Sequence, residues 1–381
     1  MRLPRGFFVF LTLFQTILIV VHGFLFLTWV YFWAPHVQGG AGPYDVRPLS
    51  HWRLLVGLGV LSVSFLATSI IGFRLTNVAL RFAYRITAVW LGFVNYAFFS
   101  SVLCWLIYWG LRLGGARIER HSFALSFLGL GVAVTAYGVI NSEWTRVRRI
   151  RVKLAKLPES WRGRTALLVS DVHLGNYRAF GFIRRIVKMV LRLNPDVVFI
   201  AGDLYDGTPA DRARLAEPLR MLKPPLGAFF VEGNHEEFSD HTKYLKAVAA
   251  TGVRVLDNEK VIVDGLQIIG VNYRDATHGE HFRKTLRRTG FDRGQATILL
   301  THAPDRVQVS TEEGISLQLS GHTHHGQFWP WTLVAERMYG KFVYGLHRLG
   351  ETQVYTSTGA GTWGPPLRVG SSPEIVAIEF V

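Results

Sequence analysis

Cysteine is almost missing from this chain of 381 residues, where Cys104 stands alone. An intrachain disulfide and a thiolate-built zinc site are therefore both excluded, and the usage fits a reducing compartment. Internal repeats and low-complexity tracts are absent, which removes solenoid and linker-rich architectures. Charge is scarce at the start: residues 1–141 hold ten Arg, no Lys and two acidic residues, Asp45 and Glu119. The apolar runs of that third contain few polar groups (Gln15, His22, Asn95). A transporter or sensor with the rest of the chain as its regulator thus finds little to build an ion path from.

Apolar residues are what the chain has in excess, at 49% of the sequence and a mean hydropathy of +0.21. Four long runs, about 7–33, 54–73, 86–111 and 123–140, approach the ~17–25 residues that cross a hydrocarbon core. They predict a multi-pass membrane domain over residues 1–145, in an inner or plasma membrane. A cleaved signal has an apolar core of only ~7–15 residues, so the first run is expected to stay. Trp29, Tyr31, Phe32, Trp33, Trp52, Trp105, Tyr108 and Trp109 fall on one side as an interfacial belt. The other side carries eleven basic residues (Arg2, Arg5, Arg74, Arg81, Arg85, Arg146, Arg148, Arg149, Arg151, Lys153, Lys156). The belt side has five (Arg47, Arg53, Arg112, Arg117, Arg120). By the positive-inside rule both the N-terminus and the C-terminal domain are expected in the cytoplasm.

The net charge is +15, and more than half belongs to the membrane part, so no nucleic-acid partner is expected. Arg146 to Lys156 follows the last run directly and reads, within a basic linker 146–162, either as a contact for anionic lipids at ~1 kcal/mol per residue or as a topology signal alone. From 163 onward short β-branched runs alternate with amphipathic stretches. Strands are predicted at 165–170, 197–201, 228–231, 296–300 and 316–319, and helices at 180–193, 212–221, 242–250 and 281–288. Three short strands within 252–273 and two more at 353–356 and 374–380 imply a second sheet. The class is α/β.

Five polar motifs each follow an apolar strand: Asp171-Val172-His173, Gly202-Asp203-x-x-Asp206, Gly233-Asn234-His235-Glu236, Thr301-His302 and Gly321-His322-Thr323-His324. Asp-x-His alone carries little information, but the ordered set does. Carboxylate, amide and imidazole groups gathered at strand ends suit a two-metal hydrolytic site.

These residues resemble the calcineurin-like metallophosphoesterase superfamily over residues 163–381. The Gly-His-Thr-His-x-Gly-Gln string at 321–327 and the segment Gly361-Thr362-Trp363-Gly364-Pro365-Pro366-Leu367-Arg368 resemble its membrane-anchored bacterial branch. The resemblance implies a two-sheet sandwich flanked by helices. It further implies Asp171, His173 and His324 as ligands of one divalent ion, Asn234, His302 and His322 as ligands of a second, and Asp203 as the bridge. Mn, Fe or Zn would suit these ligands. A metal-bridging hydroxide would then attack phosphorus in line, on a monoester, diester or pyrophosphate. His235 is the candidate general acid, with Asp206 accepting a hydrogen bond from its ring; a plain turn residue is the other reading of Asp206. Glu236 is expected to cap the following helix. His325 stands where the branch has Gly and either touches the substrate phosphate or faces solvent. Arg368 is the candidate clamp on that phosphate.

Phe328-Trp329-Pro330-Trp331 and the aromatics after it either dip into a bilayer interface and draw in a lipid tail or pack as a lid on the domain's own core. Tethering raises the effective concentration of membrane substrates, so a lipid-linked phosphoester or pyrophosphate is the expected substrate class, with membrane lipids as partners. The competing reading, a non-catalytic scaffold, would call for lost ligands, and none is missing from the set.

Overall fold

The computed structural model describes residues 5–33, 51–238 and 240–381; Arg2, Asp45 and Arg47 of the charge counts lie outside the described residues. It divides into two compact units, Met1–Gly72 with Asn77–Val139, and Phe73–Thr76 with Ile140–Val381.

The first unit is helical: α1 (Arg5–Trp33), α2 (Trp52–Gly72), α3 (Val78–Leu113) and most of α4 (Arg120–Glu143). All four are long and apolar enough to cross a membrane. The helices outrun the apolar stretches because hydrogen bonding continues into polar flanks. In α3 the Asn77 side chain accepts from the Leu80 N–H and starts the helix eight residues before the run does. The few polar side chains satisfy one another, as an apolar solvent demands: the Trp90 indole donates to His22 Nε2 at 3.1 Å and the Trp105 indole to Thr28 at 3.0 Å. Belt residues Phe32 and Tyr108 pack with Cys104 and Ala124.

The second unit is built on β1 (Arg146–Val152), β2 (Thr165–Val169), α5 (Phe180–Arg192), β3 (Val197–Ala201), α6 (Arg212–Ala216), β4 (Ala228–Val231), α7 (His241–Ala249), β5 (Arg254–Val255), β6 (Glu259–Val263) and β7 (Leu266–Gly270). It continues through α8 (Tyr273–Ala276), α9 (Gly279–Arg288), β8 (Thr297–Leu300), α10 (Val307–Glu312), β9 (Leu317–Ser320), α11 (Trp331–Tyr339), β10 (Gly345–Leu349), β11 (Thr352–Thr356) and β12 (Glu374–Phe380). Two six-stranded sheets result, ordered β1-β12-β2-β3-β4-β5 and β10-β11-β9-β8-β7-β6. Both have parallel centres, β2-β3-β4 and β7-β8-β9-β11. Strands covered on both faces need unbroken apolar runs, and Val197–Ala201 is buried throughout. Leu168, Phe199, Ile268, Ile298 and Leu319 fill the space between the sheets. Outside the first sheet Leu167 and Ile200 meet Ile186 and Val190 of α5; outside the second, Leu299 meets Phe282 and Leu286 of α9. The predicted sandwich is the observed one. The strands of these two parallel centres end on the side that carries the polar motifs.

The basic linker is a correction. Arg146–Val152 is an edge strand, paired in parallel with β12 from Arg146↔Glu374 to Val152↔Phe380. Its alternation hides among arginines: Val147 packs with the outer core, Ile150 and Val152 with the inner one, and Arg151 pairs with Glu379 at 2.9 Å. Charged side chains on an edge are a common guard against stray pairing. Beyond it Leu154, Leu157 and Trp161 are buried. The Trp161 indole donates to Val263 O at 2.9 Å and its ring meets Phe380 edge-on at 5.4 Å. Trp161→Ala should therefore lower stability by about 3–5 kcal/mol, while Arg149→Ala on the exposed side should stay within about 0.5 kcal/mol, both read from denaturant unfolding of the detergent-solubilised chain. Equal, small effects would restore the linker.

Candidate metal centre

Strand ends deliver the site. β2 is followed by Asp171 and His173, β3 by Asp203, β4 by Asn234 and His235, β8 by His302, and β9 by His322 and His324. Five of these residues, Asp171, His173, Asp203, His322 and His324, have positive φ, between 49° and 72°. Left-handed backbone at a non-glycine residue is costly and persists where the surroundings impose it, often at functional sites. Here it turns each side chain back over its strand end. Two glycines leave room for the carboxylates: a Cβ at Gly233 would meet Asp203 Oδ1 at 2.2 Å, and one at Gly321 would meet Asp171 Oδ2 at 2.2 Å.

Asp203 Oδ2 lies at the middle. His302 Nε2 is 3.2 Å from it, His173 Nε2 3.8 Å and His235 Nε2 3.9 Å. His322 Nδ1 stands 3.1 Å from His302 Nε2, and His173 Nε2 stands 2.9 Å from His324 Nε2, which is 3.5 Å from Asp171 Oδ1. Three groups of donor atoms converge closely enough to hold a cation: Asp171, His173 and His324; His173, Asp203 and His235; Asp203, His302 and His322.

The electrostatics call for a cation. Burial alone would strip the proton from His302, yet the Asp203 carboxylate outweighs it and lifts the pKa to about 10. Burial drives His322 down to about 3 and holds His173 and His324 well below the usual imidazole range. Asp203 stays ionised against its own burial because His302, His235 and His173 surround it. One proton thus does for this carboxylate what a divalent ion does better, and His173, His322 and His324 are neutral. His302 Nδ1 donates to Ala201 O at 2.8 Å, which leaves Nε2 as the ligand atom. Asn234 Oδ1 is buried and has no hydrogen-bond partner. An orphaned amide oxygen beside this cluster fits a metal ligand.

Four predicted roles change. The His235 ring does bond to Asp206, but Nδ1 donates to the backbone carbonyl at 3.2 Å; the Asp206 carboxylate accepts from the Asn176 and Thr208 N–H groups and the Thr208 hydroxyl, shaping the turn. Glu236 caps nothing. Fully buried, it accepts from the N–H groups of Asp203 (3.0 Å), Tyr205 (3.0 Å) and Gly233 (2.7 Å) and ties the β3 and β4 loops together; burial and nearby Asp203 push its pKa up to about 8. Arg368, the candidate clamp, is fully buried: it donates to the carbonyls of His324 (2.8 Å), Thr358 (2.7 Å) and Gly361 (2.6 Å), and its Nη2 lies 3.1 Å from His324 Nδ1. His325 turns away from the cluster, 3.1 Å from Glu336 and stacked on Tyr344 at 5.4 Å, where it lines a separate cavity of about 330 Å³ with Arg146 and Arg148.

Other neighbours are aromatic, and one of them, Trp363, lies in the Gly361–Arg368 segment. The Tyr273 ring lies 5.5 Å from His322 and the Tyr339 ring 6.2 Å from it. On the opposite flank Phe238 and Trp363 lie 4.5 and 5.7 Å from His235. Aromatic identity alone does not separate these from core residues, and the buried role of Glu236 has no signal in sequence.

Comparison with known proteins agrees with this chemistry. The pattern of the calcineurin-like phosphoesterases matches residues 165–326. A transmembrane protein with metallophosphoesterase domain from Danio rerio is 32% identical over 391 residues, spanning 95% of this chain and 88% of that protein. An uncharacterized metallophosphoesterase of Campylobacter jejuni is 31% identical over 298 residues, 75% of this chain and 79% of its own length.

Two outcomes are expected. Arg368→Ala should lower stability by about 3–5 kcal/mol, because three buried carbonyls lose their donor, and the melting temperature of the solubilised chain should fall with it; a changed KM at unchanged stability would restore the clamp. Burial sets the Asp171 pKa at about 6. A protonated carboxyl is a poor ligand, so metal content after dialysis should hold above pH 6 and fall as the pH drops through it.

Proposed function

Since the chain belongs to the calcineurin-like metallophosphoesterases, hydrolases of phosphoric esters, we propose that it acts with two divalent cations on a lipid-linked or otherwise membrane-associated phosphoester or pyrophosphate. Asp171, His173 and His324 would hold one cation, Asn234, His302 and His322 the other, and Asp203 would lie between them. The observation that carries this reading is the Asp203 carboxylate, buried among imidazoles beside the unpartnered Asn234 oxygen. Mn, Fe or Zn suits a set of carboxylate, amide and imidazole donors.

When bound, the cations supply a water of lowered pKa and positive charge opposite the phosphate oxygens, the requirements for in-line displacement. The chain's own residues do the rest. His235 gives its Nδ1 hydrogen to the Asp206 carbonyl, which fixes the ring and leaves Nε2 facing the site. From there Nε2 can hand a proton to the departing oxygen. Glu236 and Arg368 hold the loops that carry Asp203 and His324, so the ligand atoms converge before substrate arrives. The four apolar helices keep the enzyme at a membrane, where confinement favours substrates in the same layer. The eleven-to-five split of basic residues supports a cytoplasmic catalytic unit.

Chelation should abolish hydrolysis of an aryl phosphodiester, and Mn²⁺ or Zn²⁺ should restore it. His235→Ala should lower kcat by ~10²–10⁴-fold, whereas Asp206→Asn should cost far less, because the ring's partner is a main-chain carbonyl. Equal turnover by the wild type and His235→Ala would overturn the role given to His235.

A further inference from the structure

The helix that follows the last metal motif is built inside out. Among its side chains α11 buries Thr332 and Ala335. To solvent it shows Trp331 (50% exposed), Leu333 (55%), Val334 and Met338 (71%). A helix that served the core would bury its bulky apolar side chains and show its small or polar ones. On α11 the lid reading therefore fails, although Leu346, farther along the stretch, packs against the inter-sheet core.

The patch extends past the helix. Gln327 donates to the carbonyls of Trp363 (3.0 Å) and Pro365 (2.7 Å) and accepts from the Trp363 N–H (2.9 Å), so the exposed Trp363 ring (52%) stands beside the start of α11. Trp363 and the exposed Phe238 both flank His235. Among the described residues from 146 onward, eleven large apolar side chains are exposed, and seven of them, Trp329 included, belong to this rim of the metal centre. Single exposed apolar residues are ordinary, but a concentration around a catalytic mouth marks an interaction surface.

Charge identifies the partner. The only acid of α11, Glu336, is engaged by His325, while Arg337 and Lys341 are exposed at the helix's end and just beyond it. Tryptophan, leucine and methionine edged by exposed cations have the composition of a surface that settles among anionic head groups.

We infer that α11, together with Trp363 and Phe238, is a membrane-docking rim that enters the head-group layer of an anionic phospholipid bilayer and opens the metal centre onto that layer. The inference deepens the lipid-substrate reading above and rests on it for its purpose. A phosphoester at head-group depth then reaches the ligands without leaving the bilayer, and its acyl chains stay among lipids.

The test reads depth, not turnover. The full chain, with Leu333→Cys or Met338→Cys in a Cys104→Ala background, is nitroxide-labelled and reconstituted into phosphatidylglycerol-containing vesicles; Ile262→Cys, apolar and exposed but outside the rim, is the reference. Cys104 is itself buried, so the same labels on the unaltered background provide a second form should Cys104→Ala misfold. Collisions with oxygen relative to a water-soluble nickel chelate should be severalfold higher at 333 and 338 than at 262. Equal ratios at the three sites would overturn the inference. A chain that inserts but cleaves no ester refutes the proposed function alone; one that cleaves esters with both labels in water refutes the docking rim alone.

Discussion

A buried carboxylate that cannot be left without positive charge governs this structure. Asp203 is buried beyond the end of β3, and removing an ion from water costs several kcal/mol unless a partner compensates. Three imidazoles point Nε2 at one of its oxygens and the His235 N–H bonds the other. In the absence of a cation the cluster recruits a proton to His302, while His173, His322 and His324 remain neutral. Such a cluster is poised for exchange: a divalent ion brings more charge than the proton it displaces, and lone pairs already face it. Metal affinity and acidity are then two views of one constraint.

Holding that arrangement has shaped the surrounding backbone. Five ligand candidates sit in left-handed conformations that an ordinary loop would relax out of. Glu236 and Arg368 are what prevent relaxation. Glu236 gathers three N–H groups from the loops after β3 and β4, and Arg368 gathers three carbonyls from the loops after β9 and β11. One carboxyl and one guanidinium, each buried and each bonded to main chain, brace the site from two sides. Asn141, in the last turn of α4, donates to the carbonyls of Arg368 and Ser371, so the brace is itself tied to the segment that enters the second unit.

How much of this was legible depended on whether a residue's role follows from its type. Imidazoles and carboxylates after apolar strands announced themselves, and Asp171, His173, Asp203, Asn234, His302, His322 and His324 do gather at the strand ends of one centre. The four membrane-length helices and the paired sheets were legible because burial on both faces forces long or unbroken apolar runs. What escaped is what burial inverts. Arg368 and Glu236 look like surface chemistry in sequence, and only the fold shows them bonded to main chain and shielded from water. The strand Arg146–Val152 escaped because four arginines mask a three-residue apolar alternation. Asp206 is the expected neighbour of His235, but the bond runs to its carbonyl, and sequence does not distinguish a residue's carbonyl from its carboxylate.

The same inversion bears on how a tethered hydrolase meets its substrate. A soluble phosphatase is served by a polar, open mouth, because its ester arrives hydrated. Around this centre the polar groups are buried, while the rim shows tryptophan, leucine and methionine with arginine and lysine at its edge. Desolvating such a rim against water gains nothing; against a head-group layer every exposed ring gains area, at about 25 cal/mol per Å² of apolar surface covered. On the docking proposal, rim and metal centre would be complementary halves of one selection: the first would admit molecules with acyl chains, and the second those whose polar end carries phosphate.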